Sequence, residues 1–187
     1  GALKTALIEK AQCLGGTWRH RGCSPTKALL HTAEVYDGIK SASGIGISAS
    51  GVALDIRQVH VHKQAIVDRL AKGIQFLMKK RKVEVFTGFG SFVDPTTIKV
   101  TGVSAAETIR AKHVIIATGS TPAHLPHLKP DGKAIIDSDM VLAMAEVPKS
   151  LAVIGSGAVG TEFASGFASF GSQGHLIELL PRLLPLE

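Results

Sequence analysis

The 187-residue sequence is short of aromatic side chains and shorter still of cysteine: one Trp, one Tyr, seven Phe and two Cys. Two cysteines, Cys13 and Cys23, cannot build the disulfide framework of a small secreted domain, and their spacing fits no common zinc site. No run approaches the ~20 apolar residues of a membrane-spanning helix, and no signal peptide is visible. A soluble protein of a reducing, cytoplasmic compartment is therefore expected, with no membrane partner. The net charge of +6 comes without the interleaved aromatics of a nucleic-acid-binding face, so no nucleic acid is expected either. The eight histidines form no metal-site constellation. His60 and His62 are two apart on a predicted helix and face different ways, and His124 and His127 sit in a proline-rich stretch.

What is abundant is glycine, twenty residues of it, in a chain that is 45% hydrophobic. That composition suits an α/β protein with tight turns. Thr5–Glu9 reads as a short buried strand, followed by a turn at Gly15-Gly16-Thr17. From Ser24 the pattern is helical, with Leu29, Leu30, Ala33 and Tyr36 on one face. Pro25 suits a first turn, where its missing N–H is no loss. Residues 41–51 read as loop, and Ile56 to about Lys82 as a long helix carrying Val59, Ile66, Leu70, Ile74 and Leu77. Its basic end, Lys79-Lys80-Arg81-Lys82, lies where cations favour the helix dipole. Residues 83–110 look like a small β-meander. His113–Ala117 reads as a buried strand, Thr121–Gly132 as a connection, Asp137–Ala145 as a short helix and Ser150–Ile154 as another buried strand.

The strongest motif is Gly155-Ser156-Gly157-Ala158-Val159-Gly160. It follows a predicted strand, opens a helix bearing Phe163, Phe167 and Phe170, and is followed by His175-Leu176-Ile177-Glu178. In that context each residue has a task. Gly155 permits the tight turn, Gly157 lets the backbone approach a pyrophosphate, and Gly160 allows close packing of helix on strand. The helix N-terminus offers N–H groups to phosphates. Glu178 can accept from a ribose diol and would repel a 2′-phosphate, which favours NAD over NADP. The alternative is a glycine turn with a structural role alone.

Leu7-Ile8-Glu9 repeats Leu176-Ile177-Glu178. By the same logic Glu9 ends the second strand of a βαβ unit and holds a ribose. Eight residues precede it, so the first strand and glycine turn of that unit are expected before Gly1. Glu187 falls just after the second strand of the other unit. A chain lacking its natural start and end is the expectation, and chance coincidence of two triplets is the rival.

The segment Leu14-Gly15-Gly16-Thr17-Trp18-Arg19-His20-Arg21-Gly22-Cys23-Ser24-Pro25-Thr26-Lys27-Ala28-Leu29-Leu30 resembles the redox-active stretch of the dihydrolipoyl dehydrogenases, class I pyridine nucleotide–disulfide oxidoreductases. There it reads Leu-Gly-Gly-Thr-Cys, three variable residues, then Gly-Cys-x-Pro-Ser/Thr-Lys-Ala-Leu-Leu. Thr87–Phe92 is similar to the turn that passes the adenine of FAD, Ala117–Ser120 to the Ala-Thr-Gly segment closing the FAD domain, and Ser138–Phe163 to the start of the NAD domain. The resemblance implies doubly wound, Rossmann-like FAD- and NAD(P)-binding domains: residues 1–145 part of the first, 146–187 the start of the second.

It also implies electron transfer from a dihydrolipoyl group, free or on a lipoyl domain, through an active-site disulfide and FAD to NAD⁺. The full-length homologue would be a homodimer, with a His–Glu base from the partner subunit. Cys23 matches the flavin-side cysteine. Lys27 matches the lysine that pairs with the glutamate at Glu162 and polarises the flavin. Glu9, Gly16, Thr17, Gly90, Thr118, Gly119 and Ser120 fall on FAD-contacting positions, and Gly155, Gly157, Gly160 and Glu178 on NAD-contacting ones.

The departure from the pattern is Trp18, which stands where the exchanging cysteine belongs. A single thiol cannot form an intramolecular disulfide. Cys13 replaces it only if its Cα comes within about 7 Å of that of Cys23. Cys23 at a helix N-terminus beside Arg19 and Arg21 is either a reactive thiolate or an inert thiol, and Lys27 alone reads equally as a surface lysine. The chain is expected to bind FAD weakly or not at all and to be inactive in disulfide exchange. The rivals are an NAD(P)H-dependent flavoprotein without disulfide chemistry and a non-catalytic dinucleotide-binding relic. The apolar run Leu179–Leu186 predicts exposed surface.

Overall fold

The computed structural model describes residues 3–102 and 106–184. Its elements are β1 (Ala6–Glu9), α1 (Gly16–His20), α2 (Cys23–Ser41), a 3-10 turn (Ala42–Ile45), α3 (Ile56–Lys80), β2 (Glu84–Thr87), β3 (Phe89–Asp94), β4 (Thr97–Thr101), β5 (Glu107–Arg110), α4 (Ser138–Val141), β6 (Ser150–Ile154), α5 (Ala158–Ser169) and β7 (Gln173–Ile177). Two compact units interleave along the chain. One holds residues 1–20 and 68–121, the other residues 21–67 and 122–187.

In the first unit β1 runs parallel to β2, with Glu9 opposite Thr87. The expected meander is present as antiparallel β3–β4–β5. Asp94 turns the chain between its first two strands, accepting from the Thr96 N–H at 2.8 Å and the Thr96 hydroxyl at 2.9 Å. Ile98 and Val100 on β4 are buried. The backbone crosses itself closely beside the meander. A Cβ at Gly88 would lie 2.7 Å from the Thr101 carbonyl oxygen, and one at Gly102 would lie 2.6 Å from that of Thr87. The second half of α3 belongs to this unit and ends in Lys79 and Lys80, as the helix dipole favours.

His113–Ala117 corrects an expectation. It has a strand-like composition but forms no strand, and Ile115 and Ile116 are 89% and 72% exposed. A strand exists by pairing, and no described residue pairs with this segment. Likewise β1 and β6 are half-exposed rather than buried. Each lies in a two-stranded sheet, and strands of a parallel sheet are fully enclosed only when both faces are covered.

In the second unit α2 begins at Cys23 with Pro25 in its first turn, where a missing N–H breaks no helical bond. Its inner face carries Pro25, Thr26, Ala28, Leu29 and Ala33. Leu29 and Ala33 join Val59, Val141, Leu142, Phe163, Phe167 and Phe170 in one apolar core. Each fully buried Leu or Phe there contributes about 1.5–3 kcal/mol. Phe167 and Phe170 meet edge to face at 6.1 Å. Helices α2 and α5 pack closely: a Cβ at Gly166 would sit 3.3 Å from a Leu30 methyl.

Asp137 caps α4, accepting from Asp139 and Met140 N–H. That helix is shorter than the expected 137–145, and the loop expected at 41–51 begins with the 3-10 turn. Strands β6 and β7 are parallel and joined by α5, with Ile154 opposite Ile177, which is the expected βαβ unit. Gly174 and His175 are poor strand formers, yet they pair with Leu151 and Ala152: tertiary pairing overrides propensity.

Candidate functional site

In the first unit, residues far apart in sequence come into contact. The Thr17 hydroxyl donates to the Ser120 carbonyl at 2.9 Å. Gly119 has φ +78°, a left-handed conformation that favours glycine, and a Cβ there would sit 3.5 Å from the Thr17 hydroxyl. Gly90 lies against β1, where a Cβ would stand 3.3 Å from an Ile8 methyl. The Glu9 carboxylate accepts one N–H, from Ala11 at 2.9 Å, and is otherwise open. Gly16 also has positive φ, and nothing lies within 4 Å of a Cβ built on it. Thr17 is thus held to the 119–120 segment and Gly90 to β1, while Glu9 and Gly16 keep open surroundings.

In the second unit, Lys27 on α2 and Glu162 on α5 form a hydrogen-bonded ion pair across 135 residues of sequence. Close packing of α2 on α5 produces it. Cys23 lies one turn before Lys27, so the two share a helix face. Cys13 and Cys23 are both exposed free thiols. The Arg21 guanidinium is directed to Asp139 at 3.3 Å, a pairing that had no signal in the sequence. In the first unit Arg19 lies over the ring of Trp18, 4.2 Å from its centroid, and Trp18 is 56% exposed.

The glycine turn between β6 and α5 has the geometry of a phosphate cradle. Gly155 has φ +99°. A Cβ at Gly160 would lie 2.0 Å from the Gly155 carbonyl oxygen, whereas one at Gly157 meets nothing within 4 Å. The turn is therefore packed shut behind Gly160 and open above Gly157. Gly157 caps α5 without any side-chain hydrogen bond, so the first-turn N–H groups stay available to an anion. These residues fit a dinucleotide pyrophosphate.

Glu178, just beyond β7, closes over the turn. Its Oε2 accepts the Ser156 N–H and hydroxyl, both at 2.8 Å. Its Oε1 accepts the N–H groups of Leu179 and Leu180 at 2.7 and 3.0 Å. The Leu180 N–H and then the Ser156 donors hold the carboxyl at about 2, so it is ionised at neutral pH. Ser156 is wholly buried and went unnoticed in the sequence. A polar residue between two motif glycines is the signal that marks it.

A strand–glycine turn–helix–strand unit ending in an ionised acid defines a dinucleotide-binding protein of the Rossmann-like class. The chain belongs to the pyridine nucleotide-disulphide oxidoreductase family, whose match covers residues 1–187. It is 44% identical to a dihydrolipoyl dehydrogenase of Bacillus subtilis, covering 99% of this chain and 41% of that protein. It is 40% identical to the leghemoglobin reductase of Vigna unguiculata, covering 98% of this chain and 35% of that protein. The chain thus spans about two fifths of the curated relatives it matches. Among solved structures, the flavoprotein disulfide reductase RclA of Escherichia coli matches with TM-score 0.80 and 26% identity over 99% of this chain and 39% of its own. LpdA of Mycobacterium tuberculosis shares the fold, with TM-score 0.88 and 23% identity over 97% of this chain and 40% of its own.

Proposed function

We propose that the whole protein is a flavin-dependent oxidoreductase of the dihydrolipoyl dehydrogenase type, and that this chain supplies most of its FAD-binding domain (1–145) and the start of its NAD-binding domain (146–187). That division follows the family pattern, whereas the two compact units follow contact. The observation that carries the reading is the Lys27–Glu162 ion pair one turn from Cys23, beside a glycine turn closed by Glu178.

In the parent reaction a dithiol loses two electrons and two protons to become a disulfide. NAD⁺ takes both electrons and one proton, and the other proton goes to solvent. FAD, when bound, relays the electron pair between the thiol side and the nicotinamide. The residues of this chain bind and orient. The α5 N-terminus and Gly157 receive the pyrophosphate, and Glu178 faces the ribose and disfavours a 2′-phosphate, which favours NAD. Lys27, held by Glu162, presents a cation on the Cys23 face of α2. Glu9, Gly16, Thr17, Gly90, Thr118, Gly119 and Ser120 line the place of the FAD nucleoside.

By itself the chain is proposed to hold NAD, to bind FAD weakly, and to be inactive in disulfide exchange, because Trp18 occupies the place of the exchanging cysteine. Homodimerisation and a lipoyl-bearing substrate belong to the proposal for the whole protein. A reducing, cytoplasmic location suits two free thiols. Among the described residues no helix is long and apolar enough to cross a membrane.

Trp18 also favours a second reading, transfer from NAD(P)H to an acceptor other than a disulfide. Titrating the chain with NADH while following nucleotide fluorescence tests the first step. Saturable binding is expected, and Gly157→Val should abolish it while the fold persists. No binding by the parent chain refutes the nucleotide reading. For the whole protein, lipoamide turnover that appears with Trp18→Cys and not before it supports the loss of exchange. Turnover with Trp18 in place refutes it.

A further inference from the structure

We propose that Ser156 sets how tightly the second unit's turn holds a dinucleotide ribose, because its hydroxyl occupies an acceptor position on Glu178 that a ribose hydroxyl needs. The inference rests on reading this turn as a pyridine-nucleotide site. An ionised carboxylate has about four lone-pair positions. Here the protein fills all four: the Ser156 N–H and hydroxyl on one oxygen, the Leu179 and Leu180 N–H groups on the other. A ribose diol must therefore displace a donor before it can bind Glu178.

Three of those donors are backbone groups fixed by the chain path. The Ser156 peptide is held further, since its carbonyl accepts the Thr161 hydroxyl at 3.0 Å and the Leu184 N–H at 3.1 Å. The serine hydroxyl is the one donor that rotation or substitution removes. Because Ser156 is wholly buried, rotating its hydroxyl away leaves it unsatisfied, a costly state. It therefore competes with the ribose. A 2′-phosphate brings negative charge against Glu178, so freeing this acceptor favours NADH and not NADPH.

The test compares the parent chain with Ser156→Ala, and with Ser156→Cys, which has nearly the same size and a weak donor and serves if the alanine chain does not fold. NADH and NADPH affinities are read by fluorescence titration, and the Glu178 carboxyl is followed by carbon NMR through acid pH. Removing the hydroxyl should tighten NADH binding roughly three- to tenfold, on the scale of the net contribution of one ordinary hydrogen bond, leave NADPH unchanged, and raise the Glu178 titration above about 2. Unchanged or weaker NADH binding, or an equal change for both nucleotides, overturns the proposal. A Glu178 titration that does not move shows that the hydrogen bond is absent, and the inference falls alone. A titration that moves while no variant binds either nucleotide overturns the nucleotide reading and this inference with it.

Discussion

The same triplet, Leu-Ile-Glu, ends a parallel strand in each unit, and its two acids live in different surroundings. Glu9 ends β1 opposite Thr87 and receives one N–H from Ala11. Glu178 follows β7 and receives four donors, two of them from the turn after β6. The triplet sets strand and exit alike. What sits across the partner strand sets the chemistry of the acid. After β6 comes a glycine turn whose N–H points at Glu178, and after β2 comes Gly88, whose N–H binds the Glu9 carbonyl at 2.9 Å. The hydrogen-bond surroundings of a strand-end acid are therefore set by the neighbouring turn.

The comparison breaks first at glycine. Gly160→Ala in the second unit drives a Cβ into the Gly155 carbonyl at 2.0 Å, and chemical denaturation should show a loss of ~3 kcal/mol. Gly90→Ala in the first meets an Ile8 methyl at 3.3 Å, and should cost about 1 kcal/mol or less. Equal losses would mean that the two glycines are packed equally tightly.

Next comes Lys63, which is buried on α3 and donates to the Leu142 carbonyl and to His60 Nδ1. Lys63→Met keeps the packing but strands that carbonyl, so a cost of about 1–3 kcal/mol is expected in the same assay.

The acids themselves differ in what pH does to them. Glu178 titrates at about 2 in the folded chain, against an ordinary 4.5. The unfolded chain therefore binds the proton first, and the stability Glu178 adds is complete above about pH 4.5 and lost as pH falls towards 2. Glu178→Gln should remove that acid-limb slope from urea titrations, and a slope that persists would point to other carboxyls. Glu9→Gln, which alters one exposed contact, should change stability by no more than about 0.5 kcal/mol.

A smaller limb belongs to His60. Burial lowers its titration from 6.5, and the Lys63 charge adds to this against the hydrogen bond to the Met144 carbonyl. Stability should slip as pH drops below 6.5, where the unfolded chain takes the proton first, and His60→Asn should flatten that region.

Much of this was legible in the linear sequence. The Gly155–Gly160 turn, its flanking strands and Glu178 are local, because a βαβ unit is written within some thirty consecutive residues. Helix α2 and its proline are local too. The Lys27–Glu162 pair was legible through resemblance to a family, and no periodicity announces a contact over 135 residues. Helix α3 was legible as a helix, but its stripe was misplaced: the buried row runs Val59, Lys63, Val67, Ala71, whereas Ile66, Leu70 and Ile74 are half-buried and Leu77 is 48% exposed. A lysine joins that row because its stem is apolar and its amine finds a carbonyl at the end of α4.

Order along the chain, then, decided which segments become helix, turn or strand-former, since those follow from side-chain shape and spacing between near neighbours. Tertiary structure alone decided that His113–Ala117 pairs with no strand among the described residues, that Arg21 meets Asp139, and that Ser156 fills the last acceptor position on Glu178. Pairing and hydrogen-bond saturation depend on which distant groups arrive within about 3 Å, and a linear pattern holds no record of that distance.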